Sequence, residues 1–291
     1  MVAYRAFDLL SGSQALERGF ISMSFVKPAL LKSKHRIKVG LYVGLLMCLL
    51  PVFSQAVEGF TVTFKGCVQK QGSFAVEHPQ RLFDLFQFAN VERCAYVPGV
   101  SWLVDAKKPE QEKLKKALLD DLTTLHKYAD SEELKLHLRL LKDQVEAMPV
   151  TGRYAPFDAD AFRVAVRPLK NRLVVSDSTF LFPKIPQRIH FWGFEQADMA
   201  FFSASSLTDY WGKNGLKPFY EKGWVYVVHA NGAVEHQRVG YWAYESHYPS
   251  PGSWIVAPLK PAVFNASDGQ VESETFHKKL TQWLATQVIY P

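Results

Sequence analysis

The stretch that decides the fold is "RIHFWGF" at residues 188–194, followed by "MAFFSASSLTDYWGKNG" at residues 199–215. Apolar residues alternate at first, which predicts a strand and a return strand. A helix is then predicted, with Ser205 or Ser206 as its N-cap and Gly215 as its stop. This part of the chain therefore has the order strand, strand, helix.

The same order occurs once before. "FTVTFKG" at residues 60–66 predicts a strand and "GSFAV" at residues 72–76 predicts its hairpin partner. "HPQRLFDLFQFAN" predicts a helix with Pro79 in its first turn and Asn90 at its end. Phe64-Lys65-Gly66 corresponds to Phe191-Trp192-Gly193, so the unit is repeated.

Further strands follow each predicted helix. "VPGVSWLV" at residues 97–104 predicts one in the first unit. In the second unit, residues 224–239 predict an Asn-Gly hairpin, and "PSPGSWIVAPL" adds a last strand through a Pro-Gly turn. A strand pair, a crossing helix and further strands is the β-grasp (ubiquitin-like) order. We therefore predict an α+β protein with tandem β-grasp domains over residues 57–183 and 184–262.

A helical hairpin is predicted inside the first domain, at about residues 107–148. The short joint at 129–131 makes its two helices antiparallel neighbours, and Asp130 and Glu133 have capping-box spacing. Leu136 and Leu140 form a second apolar strip, which predicts docking onto another part of the molecule rather than a coiled-coil dimer. The main stripe consists of Leu114, Leu118, Leu122, Leu125, Leu134, Leu138, Leu141, Val145 and Met148.

The hairpin ends in "MPVTGRYAPF", a turn with Arg153 at its tip, and three strand-like runs follow: "FRVAV", "RLVVSD" and "STFLFP". Arg153 is predicted to lie near the junction of both domains and the hairpin. Burying its charge would require carbonyl or carboxylate partners, or an open pocket for an anionic or hydroxylated ligand. Three roles of Arg153 stay open: a structural link between the domains, a residue of a ligand pocket, and an exposed charge on a loop.

The C-terminal segment, residues 270–289, predicts an amphipathic helix. About sixteen helical residues reach only about 24 Å, short of the roughly 30 Å hydrocarbon core of a membrane. Alone the helix cannot span, although a ring of copies that encloses water could. Its apolar face consists of Phe276, Leu280, Trp283, Leu284 and Val288.

The N-terminus reads as a secretory leader over residues 1–56. The basic segment "KPALLKSKHRIK" precedes the apolar run "VGLYVGLLMCLLPVF" and the small residues of "SQA", so cleavage is expected after Ala56. Met23 begins a more typical leader than Met1 does. An uncleaved anchor helix is the alternative, although the run is shorter than the roughly 20 residues that a span needs.

The leader also accounts for the charge of the chain. Of 34 basic and 28 acidic side chains, residues 1–56 hold seven basic and two acidic ones, so the remainder is almost neutral. A nucleic-acid-binding protein would need a basic face on its folded part, and the nearly neutral remainder argues against that partner class. Two cysteines remain in an exported and therefore oxidising setting. A Cys67–Cys94 disulfide, worth about 3 kcal/mol by loop closure, and two separate buried thiols both stay open.

No catalytic constellation, phosphate loop or dinucleotide motif is present, so no catalytic residue, metal or cofactor is predicted. His229 and His236 flank the Asn-Gly turn, but two imidazoles without a carboxylate or cysteine make a weak zinc site. Asp158 and Asp160 favour a turn over a calcium site because no further carboxylates follow nearby.

The order of these parts resembles the GfcC-like capsule biosynthesis proteins, from about Phe60 to Val288. The best motif is "TGR", followed by Phe157, Asp160 and the stretch "FRV" that begins at Phe162. The resemblance implies that the helical hairpin is inserted in the first β-grasp domain and docks on the second, and that Arg153 belongs to a family pattern. The two mature cysteines and the long N-terminus depart from that pattern.

The resemblance also implies a function. It predicts a non-enzymatic periplasmic accessory in the assembly or export of capsular or O-antigen-type polysaccharide. Its partners would be an outer-membrane β-barrel and a lipoprotein of the same export system, with the polysaccharide as a further candidate. One alternative is a glycan-binding module or a sugar-modifying enzyme that uses Trp192, Trp211, Trp242 and Trp254; another is a ring-forming exporter built from the C-terminal helices.

Overall fold

The computed structural model describes residues 59–239 and 247–289, which all belong to one compact unit, Ala56–Pro291. The predicted leader, with its cleavage after Ala56, lies outside the described residues, and so does Trp242.

The described part is an α+β structure, as predicted. Its strands are β1 Phe60–Gly66, β2 Gly72–Val76, β3 Gln80–Arg81, β4 Ser101–Val104, β5 Leu173–Val174, β6 Ser178–Phe182, β7 Arg188–Trp192, β8 Asp198–Ala200, β9 Trp224–Val228, β10 Val234–Arg238 and β11 Trp254–Val256. Its α-helices are α1 Leu82–Ala89, α2 Lys108–Tyr128, α3 Glu132–Ala147, α4 Ala161–Val166, α5 Leu207–Lys213, α6 Pro261–Asn265 and α7 Ser273–Ala285.

The first sheet has the strand order β2-β1-β6-β4. Strands β1 and β2 form the predicted antiparallel hairpin, whereas β1 and β6 run parallel, with Val62 opposite Ser178. Helix α1 lies between β2 and β4 in the chain and buries one apolar face beside the sheet. The residues of that face are Leu82, Leu85, Phe86 and Ala89.

The second sheet has the order β10-β9-β11-β7-β8. Its first strand, β7, again lies beside its last strand, β11, and the two run parallel. Strands β9 and β10 form the predicted Asn-Gly hairpin, in which Val228 pairs with Val234. Helix α5 follows β8 and is capped at Ser206, one of the two predicted N-caps. In both sheets the first and last strands are therefore central and parallel.

Two helix ends differ from the prediction. Helix α1 begins at Leu82, after Pro79, because β3 first pairs with β5. It ends as predicted at Asn90, whose φ of 50° is the left-handed conformation that asparagine tolerates. Helix α5 ends one residue before the predicted stop, since Asn214 is its C-cap rather than Gly215.

The helical hairpin consists of α2 and α3. Its main apolar stripe packs against residues of the second sheet and of α7 in one core. The predicted Asp130–Glu133 capping box is wrong: Ser131 is the N-cap, and its hydroxyl accepts a hydrogen bond from the Leu134 N–H (3.2 Å).

The second apolar strip of the hairpin does not dock. Leu136 and Leu140 are 49% and 56% exposed. The main apolar stripe packs α2 against α3 and is also part of the core of the second sheet. One face of the hairpin therefore makes both contacts. The docking prediction is therefore right for the hairpin and wrong for these two leucines.

The segment after the Thr-Gly-Arg turn also differs. "FRVAV" forms helix α4 rather than a strand, since the Asp160 side chain caps it by accepting from the Arg163 N–H (3.0 Å). "RLVVSD" contributes only the two-residue strand β5, whereas "STFLF" forms β6 in full. The alternation in "FRVAV" is misleading because only Val164 of this helix is buried.

The C-terminal segment packs on the second sheet. Helix α7 ends at Ala285, so the predicted face residue Val288 lies beyond the helix and is half-buried. The other four face residues are at most 1% exposed within the core shared with the hairpin. In the part of the chain that the structure describes, no helix combines the length and apolarity required to cross a membrane.

Candidate functional site

Arg153 lies on a short loop that contacts three parts of the molecule. Its backbone forms a bridge with Leu103 of β4. The side chain of buried Gln111, on α2, accepts from the Gly152 N–H (2.8 Å) and donates to the Arg153 carbonyl (2.9 Å). Gly152 has φ of 74°, and a Cβ there would lie 2.7 Å from the Val104 carbonyl oxygen. The sequence Thr-Gly-Arg therefore suits this loop because only glycine fits its centre.

Thr151 joins the loop to the end of α7. Its hydroxyl donates to the Thr286 carbonyl (2.7 Å) and accepts from the Arg153 N–H (3.0 Å). The loop is thus attached to α2 on one side and to the C-terminal helix on the other.

The Arg153 guanidinium is buried, at 4% exposure. Nη1 donates to the carbonyls of Ala285 (3.2 Å) and Gln287 (2.6 Å), and Nη2 donates to the Ala230 carbonyl. Ala285 ends α7 and Ala230 lies in the turn between β9 and β10. The cation therefore lies where the carbonyls of α7 lack helical partners and the helix dipole favours positive charge.

No carboxylate among the described residues pairs with Arg153. Burial lowers the pKa of Arg153 to about 10, so the side chain is still charged at neutral pH. Its Nε atom is buried and has no hydrogen-bond partner in the described part of the chain. The N–H of Nε therefore remains unused.

Two cavities meet at Arg153. A cleft of about 790 Å³ lies between α2, α7 and the β9–β10 turn, and Gln111, Tyr226, Lys278 and Gln282 line it with Arg153. This volume lies in the range of small-molecule sites. Amide, ammonium, hydroxyl and aromatic groups on its walls suit a hydroxylated ligand, and the carboxylates of Glu110 and Glu274 also line the cleft.

The second cavity, of about 440 Å³, lies on the other side of Arg153. It is lined by His190, His229, Trp254 and Gln287 among others. The Trp254 ring stacks on His190 with 4.6 Å between ring centroids. This wall offers a partly exposed aromatic surface.

The predicted cysteine pair lies away from both cavities. Cys67 follows β1, Cys94 follows α1, and the structure joins them in a disulfide with Cα atoms 5.7 Å apart. The bond ties the first strand of the first sheet to the loop beyond its helix.

The two histidines at the Asn-Gly turn do not share a site. His229 Nε2 lies 3.3 Å from a Glu235 carboxylate oxygen, whereas His236 stacks on Trp224 and Tyr226. Within residues 59–239 and 247–289, no cluster of three or more histidine, cysteine or acidic side chains could hold a metal ion.

The two aspartates have local roles. The Asp158 carboxylate accepts from the Asp160 N–H (3.2 Å), and Asp160 caps α4. This is the turn interpretation of the Asp-x-Asp pair.

The tryptophans considered for glycan stacking are in different environments. Trp192 is 2% exposed in the core, and Trp211 packs edge-on against Phe194. Among the described ones, Trp254 is the one that lines a cavity at Arg153.

Gln111 and Thr151 belong to the site but were not predicted from the sequence. Gln111 shares the stripe of Leu114 and Leu118 at a spacing of three and seven residues, so a polar residue on a buried face could have identified it. For Thr151 we find no such signal beyond its place next to Gly152.

Residues 195–285 match the family model described as capsule biosynthesis GfcC C-terminal. The match confirms the GfcC-like resemblance for this part of the chain, which includes α5, the second sheet's β9 to β11, and α7. No curated protein sequence shows significant similarity to the chain.

Proposed function

We propose that this protein is a non-enzymatic accessory in the assembly or export of capsular or O-antigen-type exopolysaccharide. The observation that carries the proposal is the match of residues 195–285 to the GfcC C-terminal family of capsule biosynthesis. The matched residues include the carbonyl of Ala230 and the end of α7, which together hold Arg153.

We further propose that each sheet with its helix is a β-grasp domain. Both sheets place the first strand beside a parallel last strand, with the third strand on the other side of the last strand. The hairpin of α2 and α3 would be an insertion between β4 and β6 of the first domain. Such domains act as rigid modules for contacts with other proteins.

The protein would act by contact in the periplasm of a Gram-negative bacterium. The predicted leader, cleaved after Ala56, supports export, and the Cys67–Cys94 disulfide is typical of an oxidising compartment. Its partners would be an outer-membrane β-barrel and a lipoprotein of the same export system.

A second candidate function is glycan binding at the junction. The cleft with Tyr226, Gln111 and Gln282, and the neighbouring cavity with Trp254, combine polar and aromatic groups as sugar sites do. A ring-forming exporter is less favoured because α7 uses its apolar face inside the molecule.

The test starts with deletion of the gene in its native host and measurement of surface polysaccharide. We expect a loss that is restored by the wild-type gene and by the control Arg139→Ala, which changes an exposed arginine on α3. Arg153→Ala is expected to restore less polysaccharide because the junction is weakened.

A pull-down from envelope extracts then addresses the partners. Immobilised residues 56–291 should retain an outer-membrane barrel or lipoprotein of the export system, identified by mass spectrometry. Unchanged surface polysaccharide in the deletion strain, with neither partner retained, would refute the proposal. Glycan titration monitored by tryptophan fluorescence tests the second candidate, which predicts a saturable change in wild type.

A further inference from the structure

Residues 161–175 form an exposed apolar and basic surface next to the buried core of the first sheet. This surface is called the 161–175 patch below. It comprises α4, the turn after it and the region of β5. Five large apolar side chains on it are about half exposed or more. They are Phe162 (75%), Val166 (56%), Leu169 (93%), Leu173 (47%) and Val175 (62%).

These side chains share the outer side of the patch. In α4, Val164 is fully buried, and Phe162 and Val166 lie two residues before and after it, on the opposite helix face. In and next to β5, Val174 is buried, so its neighbours Leu173 and Val175 point away from the same core. Leu169 lies in the turn between these two elements and is almost fully exposed.

The patch is also basic. Arg163, Arg167, Lys170 and Arg172 are exposed, and residues 161–175 contain no aspartate or glutamate. The cations therefore alternate along the chain with the exposed apolar side chains.

Neighbouring acidic groups neutralise this charge only in part. Asp158 and Asp160 lie 3.8 to 3.9 Å from nitrogens of Arg163 and Lys170, which is a loose pairing for exposed groups. The Arg172 guanidinium stacks 4.8 Å above the Tyr154 ring, which leaves its charge uncompensated. Arg167 has no acidic partner among the described residues.

We propose that the 161–175 patch binds the surface of an anionic lipid bilayer. Leu169 and Phe162 would enter the boundary between headgroups and acyl chains, while the four cations would contact lipid phosphates. Alternating basic and apolar side chains, exposed together, are typical of surfaces that lie in a membrane interface. A contiguous exposed apolar surface of this kind is unusual on a protein that stays free in solution.

This inference goes beyond the proposed function, because it concerns a surface of the first core and not the junction at Arg153. It would attach the protein to a membrane surface without a spanning segment. The orientation would follow from the patch, with the hairpin of α2 and α3 left for other contacts.

Vesicle flotation tests the proposal with residues 56–291, the compact unit that holds both cores. Vesicles of phosphatidylcholine with phosphatidylglycerol should carry the wild-type protein upward, and added salt should weaken the binding. The double variant Phe162→Ser/Leu169→Ser should bind at least about tenfold more weakly. The double variant Arg163→Gln/Arg167→Gln should lose about fivefold for each charge.

The matched control is Leu136→Ser/Leu140→Ser, which removes two exposed leucines from α3. It should float as the wild type does, and all variants should keep the wild-type unfolding midpoint because the altered side chains are exposed. Equal flotation of wild type and Phe162→Ser/Leu169→Ser would overturn the proposal, as would equal binding to pure phosphatidylcholine vesicles. Failure to float, combined with loss of a captured envelope protein in the same variant, would make the patch a protein interface instead.

Discussion

At the scale of single residues, Arg153 connects the two halves of the molecule. A buried cation is costly unless its donors are satisfied, and here three carbonyl groups from α7 and the β9–β10 turn accept from it. The side chain therefore has a structural role whether or not a ligand reaches its free Nε. Arg153 also lines both cavities, so the proposed glycan binding and the stability of the junction would depend on the same side chain.

Arg153→Ala should lower the free energy of unfolding by about 2–4 kcal/mol, since it leaves buried carbonyls without donors. Arg153→Lys should cost less, about 1–2 kcal/mol, because one ammonium keeps the charge but cannot match the fork of the guanidinium. Urea unfolding followed by circular dichroism measures both. The control Arg139→Ala should stay within about 0.5 kcal/mol of wild type; an equal effect of Arg139→Ala and Arg153→Ala would contradict this role.

The buried side chain of His277 should make the stability of the protein depend on pH. Its Nε2 accepts from the Leu259 N–H (2.9 Å), and burial lowers the pKa of His277 to about 4. Below its unfolded pKa of about 6.5, the unfolded chain binds a proton that the folded chain does not. The free energy of unfolding should therefore fall as the pH is lowered from about 6.5 to about 4, by at most about 1.4 kcal/mol per pH unit from this group.

The variant His277→Gln keeps an acceptor near Nε2 but cannot titrate. We expect a smaller pH dependence in urea unfolding between pH 6.5 and about 4, whatever its stability at neutral pH. His137, whose pKa burial also lowers to about 4, should contribute to the dependence that remains, together with carboxylates such as Glu235, whose pKa a hydrogen bond from Gln237 lowers. The same slope in wild type and variant would show that His277 does not contribute.

At the scale of elements, the hairpin uses one face for two contacts. Leu122 on α2 is fully buried in the core that includes the second sheet, whereas Leu140 on α3 is 56% exposed. Asp121 and Lys279 add an ion pair between α2 and α7 (2.7 Å). The hairpin is thus attached to the C-terminal helix by this ion pair as well as through the core that both share with the second sheet.

Leu122→Ala should destabilise the protein by about 2–5 kcal/mol, because it leaves a cavity in a close-packed core. Leu140→Ala makes the same chemical change on the exposed face and should stay within about 0.5 kcal/mol of wild type. Thermal or urea unfolding of both variants gives the comparison. A large loss from Leu140→Ala would mean that the second strip is covered after all.

The sequence predicts elements well where the apolar periodicity is clear, as in β1, β9, β10, α2 and α3. It fails at "FRVAV", where alternation suggests a strand but the Asp160 cap and the single buried residue Val164 produce a helix. It also fails at Leu136 and Leu140, because an apolar side chain in an amphipathic pattern need not find a partner surface. At Val288 it fails because the helix already ends at Ala285. Periodicity indicates which face can be buried, but tertiary packing decides how much of it is.

At the scale of the whole molecule, the repeated strand–strand–helix order predicts the α+β class and the two separate sheets. The contacts at the Arg153 junction could not be predicted from this repeated order. Thr151 lies 135 residues from Thr286, to which it donates, and Gln111 lies 42 residues from Arg153; no local pattern connects such segments. The sequence thus predicts the parts better than their attachment.

The hairpin, α7 and the Arg153 loop are expected to hold both sheets together as one cooperative unit. Differential scanning calorimetry of residues 56–291 tests it most directly. The account predicts a single transition whose calorimetric and van't Hoff enthalpies agree, as for one cooperative unit. Two resolved transitions in the wild-type protein, one for each sheet, would contradict it.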